Sequence, residues 1–296
     1  MTEIGIVGLD TSHAEGFAGR IEEHESANLA AVWDGGEIRD ESYEREFCAE
    51  HGARSYDEPF GMADDVDAVM ILTVDWDSHT ELSTPFLECG VPTLIDKPIA
   101  GHVADVEAVR AVANGTPLFG GSAVPYHSEL RSLADASVDG TLYCVGYDDP
   151  FYYGVHLVDT ACRTVDEDWA CVTPADDPGT TVDVVFEDGT FSTLRLDGSS
   201  DEGRFAFLGI GDSTTGVDVG SSRDDLDDMY ESYFETFLDA VAGNLDVTHR
   251  LLDAAELLIA VDAALELDRP ITPDCAALSD HHVDAESFVE SYQPYY

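Results

Sequence analysis

The chain is nearly devoid of lysine. Only 13 of its 296 residues are lysine or arginine, against 62 aspartates and glutamates, for a formal net charge of −49. A single lysine, Lys97, stands among twelve arginines. So few cations argue against nucleic acid and anionic membranes as partners, because both are bound by displacing counterions with Lys and Arg. No apolar run reaches the roughly 18 residues of a membrane span, and residues 1–20 lack the basic start and small-residue cleavage site of a secretion signal. The expectation is a soluble, cytoplasmic protein. Cysteine is also sparse. Cys48, Cys89, Cys144, Cys162, Cys171 and Cys275 form no Cys-x-x-Cys pair and no zinc-like spacing, so they read as reduced, mostly buried thiols with no metal site.

What is present is enough apolar residue, 44%, to bury a substantial core, which excludes a disordered acidic chain. The acids run along the whole length, as in Asp64, Asp65 and Asp67 and again in Asp224, Asp225, Asp227 and Asp228. An acidic surface of this kind stays soluble where salt screens self-repulsion, and a halophilic source is expected.

A short apolar strand over residues 3–7 ends at Gly8, and a helical pattern follows from Ala14 to Glu23, with Ser12 and Glu15 spaced as a capping box. Further strands are expected at Leu29–Trp33, Ala68–Thr73, Thr93–Ile95 and Leu118–Gly120, with helices over Ser78–Cys89 and Val103–Ala113. This alternation predicts an α/β, doubly wound (Rossmann-type) parallel sheet over residues 1–121, with ligands beyond the carboxyl ends of the strands. After residue 122 longer strands take over, including Thr181–Phe186 and Thr190–Leu196 joined by a Glu187-Asp188-Gly189 turn. Two amphipathic helices follow. The first carries Leu226, Met229, Tyr230, Tyr233, Phe234, Phe237, Leu238 and Val241 as one apolar stripe, read as core. Residues 122–296 therefore read as a second, α+β domain with a mostly antiparallel sheet.

Against the dinucleotide fingerprint, Gly8 takes the first glycine position, while Asp10 and His13 stand at the other two. Thr11 and Ser12 at the helix start offer an anion site. Asp10 reads equally as a local turn or cap residue, and His13 as either a cleft-lining or a capping side chain. Asp34, ending the second strand, stands where an acid accepts the adenosine ribose hydroxyls and repels a 2′-phosphate, favouring NAD over NADP.

Thr73, His79, Gly90, Asp96-Lys97-Pro98 and Gly154-x-His156-x-x-Asp159 resemble the motifs of the glucose-fructose oxidoreductase and inositol dehydrogenase (Gfo/Idh/MocA) family. That resemblance implies an NAD(P)-dependent oxidoreductase acting on a sugar, cyclitol or related polyhydroxy compound, with Lys97 between nicotinamide and substrate. It also implies a homodimer or homotetramer built through an open sheet face. Asp96 replaces the family's glutamate, Tyr152 stands where the family has an aspartate four residues before the histidine, and Asp10 interrupts the usual glycine-rich turn.

The chemistry of the side chains points to the same residues. An imidazole suits removal of a hydroxyl proton, which makes His156 the candidate base, and an ammonium beside the oxygen stabilises a developing alkoxide, which makes Lys97 its partner. Tyr152 is a third catalytic candidate, sharing a substrate hydrogen bond or relaying a proton. Asp159 is assigned to the substrate side as an orienting or capping acid, and Thr73 and His79 to the cofactor side. The competing reading is a non-catalytic ligand-binding or sensing protein that has lost dinucleotide binding, and Asp10 and Tyr152 are its evidence. The His281-His282-Asp284 run reads as solvated rather than metal-binding.

Overall fold

The computed structural model describes residues 1–36, 38–135, 140–198 and 203–294. Strands β1 (Thr2–Val7), β2 (Ala27–Trp33), β3 (Arg54–Ser55), β4 (Ala68–Ile71), β5 (Thr93–Ile95) and β6 (Leu118–Gly120) form a parallel sheet in the order β3-β2-β1-β4-β5-β6. They are joined through helices α1 (Ser12–Glu23), α2 (Glu41–His51), α3 (His79–Glu88) and α4 (Val103–Val112). Helices cover both faces of such a sheet, so its inner strands are largely apolar, and β4 to β6 are buried at every position. The winding reverses between β1 and β4, which opens a crevice at their carboxyl ends.

Two elements go beyond the sequence expectation. Helix α2 buries only Phe47 and Cys48, too thin a stripe to show as helical periodicity, and β3 is two exposed residues with no alternation to read. The capping box is also corrected. Thr11 is the N-cap of α1, its hydroxyl accepting the His13 N–H at 3.2 Å, while Ser12 is the first helical residue and Glu15 accepts from the Tyr43 hydroxyl at 2.6 Å.

The chain leaves the parallel sheet through Gly120 and Gly121, both at positive φ (149° and 71°), where a Cβ on Gly120 would lie 2.1 Å from the Ile95 carbonyl oxygen. Beyond it come α5 (Ser128–Asp135), β7 (Thr141–Tyr147), α6 (Gly154–Val165), β8 (Trp169–Pro174), β9 (Thr181–Phe186), β10 (Phe191–Gly198), β11 (Phe205–Ile210), β12 (Thr214–Val219), α7 (Arg223–Val241), α8 (Thr248–Leu267), α9 (Ala276–Ser279) and α10 (Glu286–Ser291). The second sheet has the order β12-β11-β7-β10-β9-β8 and is mixed, since β10 and β7 run parallel while the other pairs are antiparallel. The β9–β10 hairpin turns at Gly189, as its sequence indicates.

Helices α6 and α8 pack on one face of this sheet. The other face leaves Tyr143, Val145, Val185, Leu208 and Ile210 exposed. The α7 stripe is only partly core: Tyr233, Phe234 and Phe237 are buried, whereas Leu226 is 37% exposed and lines a cavity with Tyr230. After α8 the chain doubles back to the first sheet. Val283 N–H donates to Gly101 O at 2.9 Å, Trp76 Nε1–H donates to Val283 O at 2.7 Å, and Asp77 accepts from Ala285 N–H. Among the described residues no helix is long and apolar enough to cross a membrane, and the six cysteines are unpaired, with Cys48, Cys144 and Cys162 buried and Cys89 exposed.

Candidate active site

The crevice deepens into a cavity of about 530 Å³ between the two sheets, walled by the start of α1, the loop after β5, the start of α6, the edge of the second sheet and α7. Gly8 makes the first contact possible. Its φ is +93°, and a Cβ there would meet Thr73 Cγ2 at 2.6 Å and Thr73 N at 2.8 Å, so only glycine lets the ends of β1 and β4 approach this closely. Thr11, Ser12, His13 and Gly16 line the cavity, which turns the free N–H groups of the α1 N-terminus towards it. Asp10 is 4% exposed and accepts the Val74 N–H at 2.9 Å, so its carboxylate braces the turn and is not presented to a pyrophosphate.

Asp34 closes β2, accepting Leu9 N–H at 2.9 Å and Gly36 N–H at 3.1 Å. Thr73 and Ser78 pair hydroxyls at 2.9 Å. His79 is fully buried, its ring nitrogens facing Thr73 O at 2.9 Å and Ile99 O at 3.3 Å. It ties two loops together and is not among the cavity-lining residues. These residues fit a dinucleotide: a glycine-tight turn, a helix start opening on the cavity, and an acid at the end of β2.

Deeper in the cavity, His13 Nδ1 lies 2.6 Å from Asp96 Oδ2, and its Nε2 lies 2.9 Å from the Tyr230 hydroxyl. Burial opposes the Asp96 charge, but His13 and Lys97 outweigh it and hold the carboxyl below its ordinary value. The neighbouring Lys97, joined to Pro98 by a cis peptide, is 6% exposed and reaches the cavity wall. Its ammonium lies 3.0 Å from the centre of the Tyr152 ring and 5.2 Å from that of Tyr153. Burial lowers the Lys97 pKa to about 7, against the pull of Asp96 and Asp149.

His156, in the first turn of α6, brings its ring to the same cavity. Its Nδ1 is 2.7 Å from Ser122 Oγ, which also accepts the Val124 N–H at 3.0 Å. Burial, with the charges of Lys97 and His13, holds its pKa well below the ordinary value, so the ring is neutral. Asp159 lies one turn further along α6 and accepts the Ser122 N–H at 2.5 Å. Enclosure raises its pKa to about 7, against that hydrogen bond and Arg250. It lines a separate small cavity of about 30 Å³ with Ser122, Arg163 and Arg250, and so supports the Ser122 loop behind His156.

Thr11, Ser12, His13, Lys97, Tyr152 and His156 thus converge on one cavity, whereas Asp10, His79 and Asp159 act as supports around it. Sequence reasoning missed Tyr230, Phe205 and Tyr292, which line the cavity from distant segments, and Ser122, which backs the His156 ring. The run at 281–284 is not uniformly solvated. His281 is 8% exposed, with Nε2 3.2 Å from Asp262 and Nδ1 3.6 Å from Glu266, whereas His282 meets Asp77 at 3.0 Å.

Residues 2–118 match the family described as "Oxidoreductase family, NAD-binding Rossmann fold". The match covers the parallel-sheet part of the chain and stops where that sheet ends. Over 99 residues the chain is 33% identical to inositol 2-dehydrogenase 2 of Saccharopolyspora erythraea, a match spanning 33% of this chain and 28% of that relative. The fold extends the likeness beyond the matched part. A probable dehydrogenase from Thermotoga maritima superposes with a TM-score of 0.76 at 18% identity, over 91% of this chain and 98% of the other. The scyllo-inositol dehydrogenase of Lactobacillus casei, solved with NAD(H) and scyllo-inositol, gives 0.74 at 15% identity, over 92% and 99%.

Proposed function

We propose that this protein is an NAD-dependent dehydrogenase that oxidises a CH–OH group of a neutral polyhydroxy ring compound, a cyclitol or sugar, or reduces the corresponding carbonyl. The observation that carries this reading is the convergence of Lys97, His156 and the α1 N-terminus on one cavity of about 530 Å³. The family match over residues 2–118 and the inositol dehydrogenase relative support the same class of chemistry. When bound, the nicotinamide supplies the hydride acceptor.

The remaining chemistry falls to the chain itself. Thr11, Ser12 and His13 hold the pyrophosphate through the helix start. Asp34, at the end of β2, would accept the adenosine ribose hydroxyls, and its charge would disfavour a 2′-phosphate and so select NAD over NADP. Neutral His156 takes the alcohol proton at Nε2 while Nδ1–H donates to Ser122 Oγ. The Lys97 ammonium stabilises the oxygen as charge develops on it. Among the described residues Lys97 and Arg20 are the only Lys or Arg lining the cavity, and Arg20 is bound by Asp227 at 2.7 Å, which favours a neutral substrate over an acidic one.

The reading as a sensor without dinucleotide has lost its main support, because the Asp10 carboxylate is occupied by Val74 N–H away from the cavity. The exposed strip of Tyr143, Val145, Leu208 and Ile210 is the face through which copies pair as a homodimer or homotetramer. Six unpaired cysteines suit the reducing cytoplasm.

The test is titration with NADH and NADPH separately, in molar potassium chloride to match the acidic composition, following nicotinamide fluorescence. Micromolar binding of NADH, weaker binding of NADPH, and turnover of at least one polyol are expected. Failure of the folded protein to bind either dinucleotide overturns the proposal.

A further inference from the structure

The support beneath the one lysine is an aromatic ring instead of a carboxylate. Among the described residues Lys97 makes no ion pair, and its ammonium lies 3.0 Å from the centre of the Tyr152 ring. The nearby acids are otherwise engaged. Asp96 bonds His13 and the Lys97 N–H, and Asp149 accepts the N–H groups of Phe151 and Tyr152. Phe288, carried back from the chain's end on α10, stacks on Tyr152 with ring centres 4.1 Å apart and planes at 27°. A ring stacked this closely fills one face of Tyr152 and leaves the other to the ammonium. Trp76 lies against both rings, at 6.3 Å from Tyr152 and 5.6 Å from Phe288, and its Nε1–H holds Val283 O in the returning segment.

We propose that Tyr152 is a positioning residue whose ring face holds the Lys97 ammonium at the cavity wall, and that Phe288 in the returning segment holds that ring in place. The chemistry favours a ring over an acid here. A carboxylate in contact would cancel the lysine's charge, whereas a ring quadrupole orients the ammonium and leaves its full charge for a developing alkoxide. The other titratable groups around Lys97 are Asp96 after β5, His13 on α1, Asp149 and Tyr153 before α6, and His156 on α6. This inference deepens the dehydrogenase reading and rests on it only where turnover is measured.

Because Lys97 is the sole lysine, protein grown with ε-13C lysine gives one side-chain signal, and its chemical shift followed against pH titrates that group directly, without turnover. Tyr152→Leu, which keeps the site apolar but removes the ring face, is expected to lower the titration midpoint by roughly 0.4 to 1.5 pH units, a cation–π contact converted at about 1.4 kcal/mol per unit. Tyr152→Phe keeps the face and is expected to titrate like the wild type. Phe288→Leu is expected to shift the midpoint in the direction of Tyr152→Leu, but less, and it tests the idea independently should Tyr152→Leu fail to fold. A wild-type midpoint in both leucine variants overturns the proposal, as does a Tyr152→Phe shift as large as that of Tyr152→Leu, which would assign the effect to the hydroxyl. Turnover forms a separate arm, in which Tyr152→Leu is expected to lower kcat at unchanged NADH affinity. The expected titration shifts in a protein that binds no dinucleotide would support the aromatic seat and sink the dehydrogenase reading alone.

Discussion

His13 and Asp96 meet at 2.6 Å although 83 residues separate them, and the far nitrogen of the same imidazole reaches Tyr230 from α7 at 2.9 Å. The residue standing at the third glycine position of the dinucleotide turn therefore joins three elements: the start of α1, the end of β5 and the helix that closes the cavity.

That junction should contribute to stability. Asp96→Asn leaves the His13 ring against a neutral amide, and removing one partner of a buried pair costs about 3 kcal/mol. Because the folded pKa of Asp96 is depressed, this stabilisation is present above the unfolded carboxyl value of about 3.9 and is lost as pH falls through the folded value. Denaturant unfolding should thus separate variant and wild type at neutral pH and bring them together in strong acid. Equal stability at neutral pH would show that the contact contributes nothing.

Catalysis should depend on three side chains to different degrees. His156→Ala is expected to lower kcat by about 10²- to 10⁴-fold and Lys97→Ala by a comparable factor, with NADH affinity within about tenfold of wild type. Ser122→Ala, which removes only the partner of Nδ1, should retain more activity than either. Steady-state kinetics on whichever polyol is turned over decides this, and near-normal kcat in His156→Ala would end its assignment as the base.

Lys97 should make the protein's stability depend on pH at its own site. Its folded pKa, about 7, lies below the ordinary 10.5, so between these values the unfolded chain holds a proton that the folded chain has released. Stability from this site therefore rises with pH across that window, by up to about 1.4 kcal/mol per unit. Lys97→Met has no such dependence. It is expected to be more stable than the wild type near neutrality, with the advantage shrinking as the solution becomes alkaline. A constant difference in Tm across the window would contradict the assigned direction.

The parallel sheet was legible because its strands are short and largely apolar and Gly8, Asp34 and Lys97 follow the ends of three of them. Lys97 and His156, which the structure brings to one cavity, were legible because each sits on a short motif. Ser122 and Phe288 were not, because their roles depend on contacts with residues 34 and 136 positions away, which no local pattern records. Tyr230 was hidden differently: its spacing matched a core stripe, and only the three-dimensional position of α7 shows that one edge of that stripe faces a cavity. The mixed character of the second sheet was equally invisible, since a parallel β7–β10 pair has the same alternation as an antiparallel one.

The chain passes between its two sheets twice, once at Gly120 and Gly121 and again where residues 281–285 return to Trp76, Asp77 and Gly101. Helices α7 and α8 bridge the same two sheets, through α1, α4 and β6, so the returning segment is one tether among several. What sets it apart is its cargo: it carries Phe288, so loosening the anchors at Trp76, Asp77 and Gly101 would reach the ring beneath the lysine without touching a residue that lines the cavity.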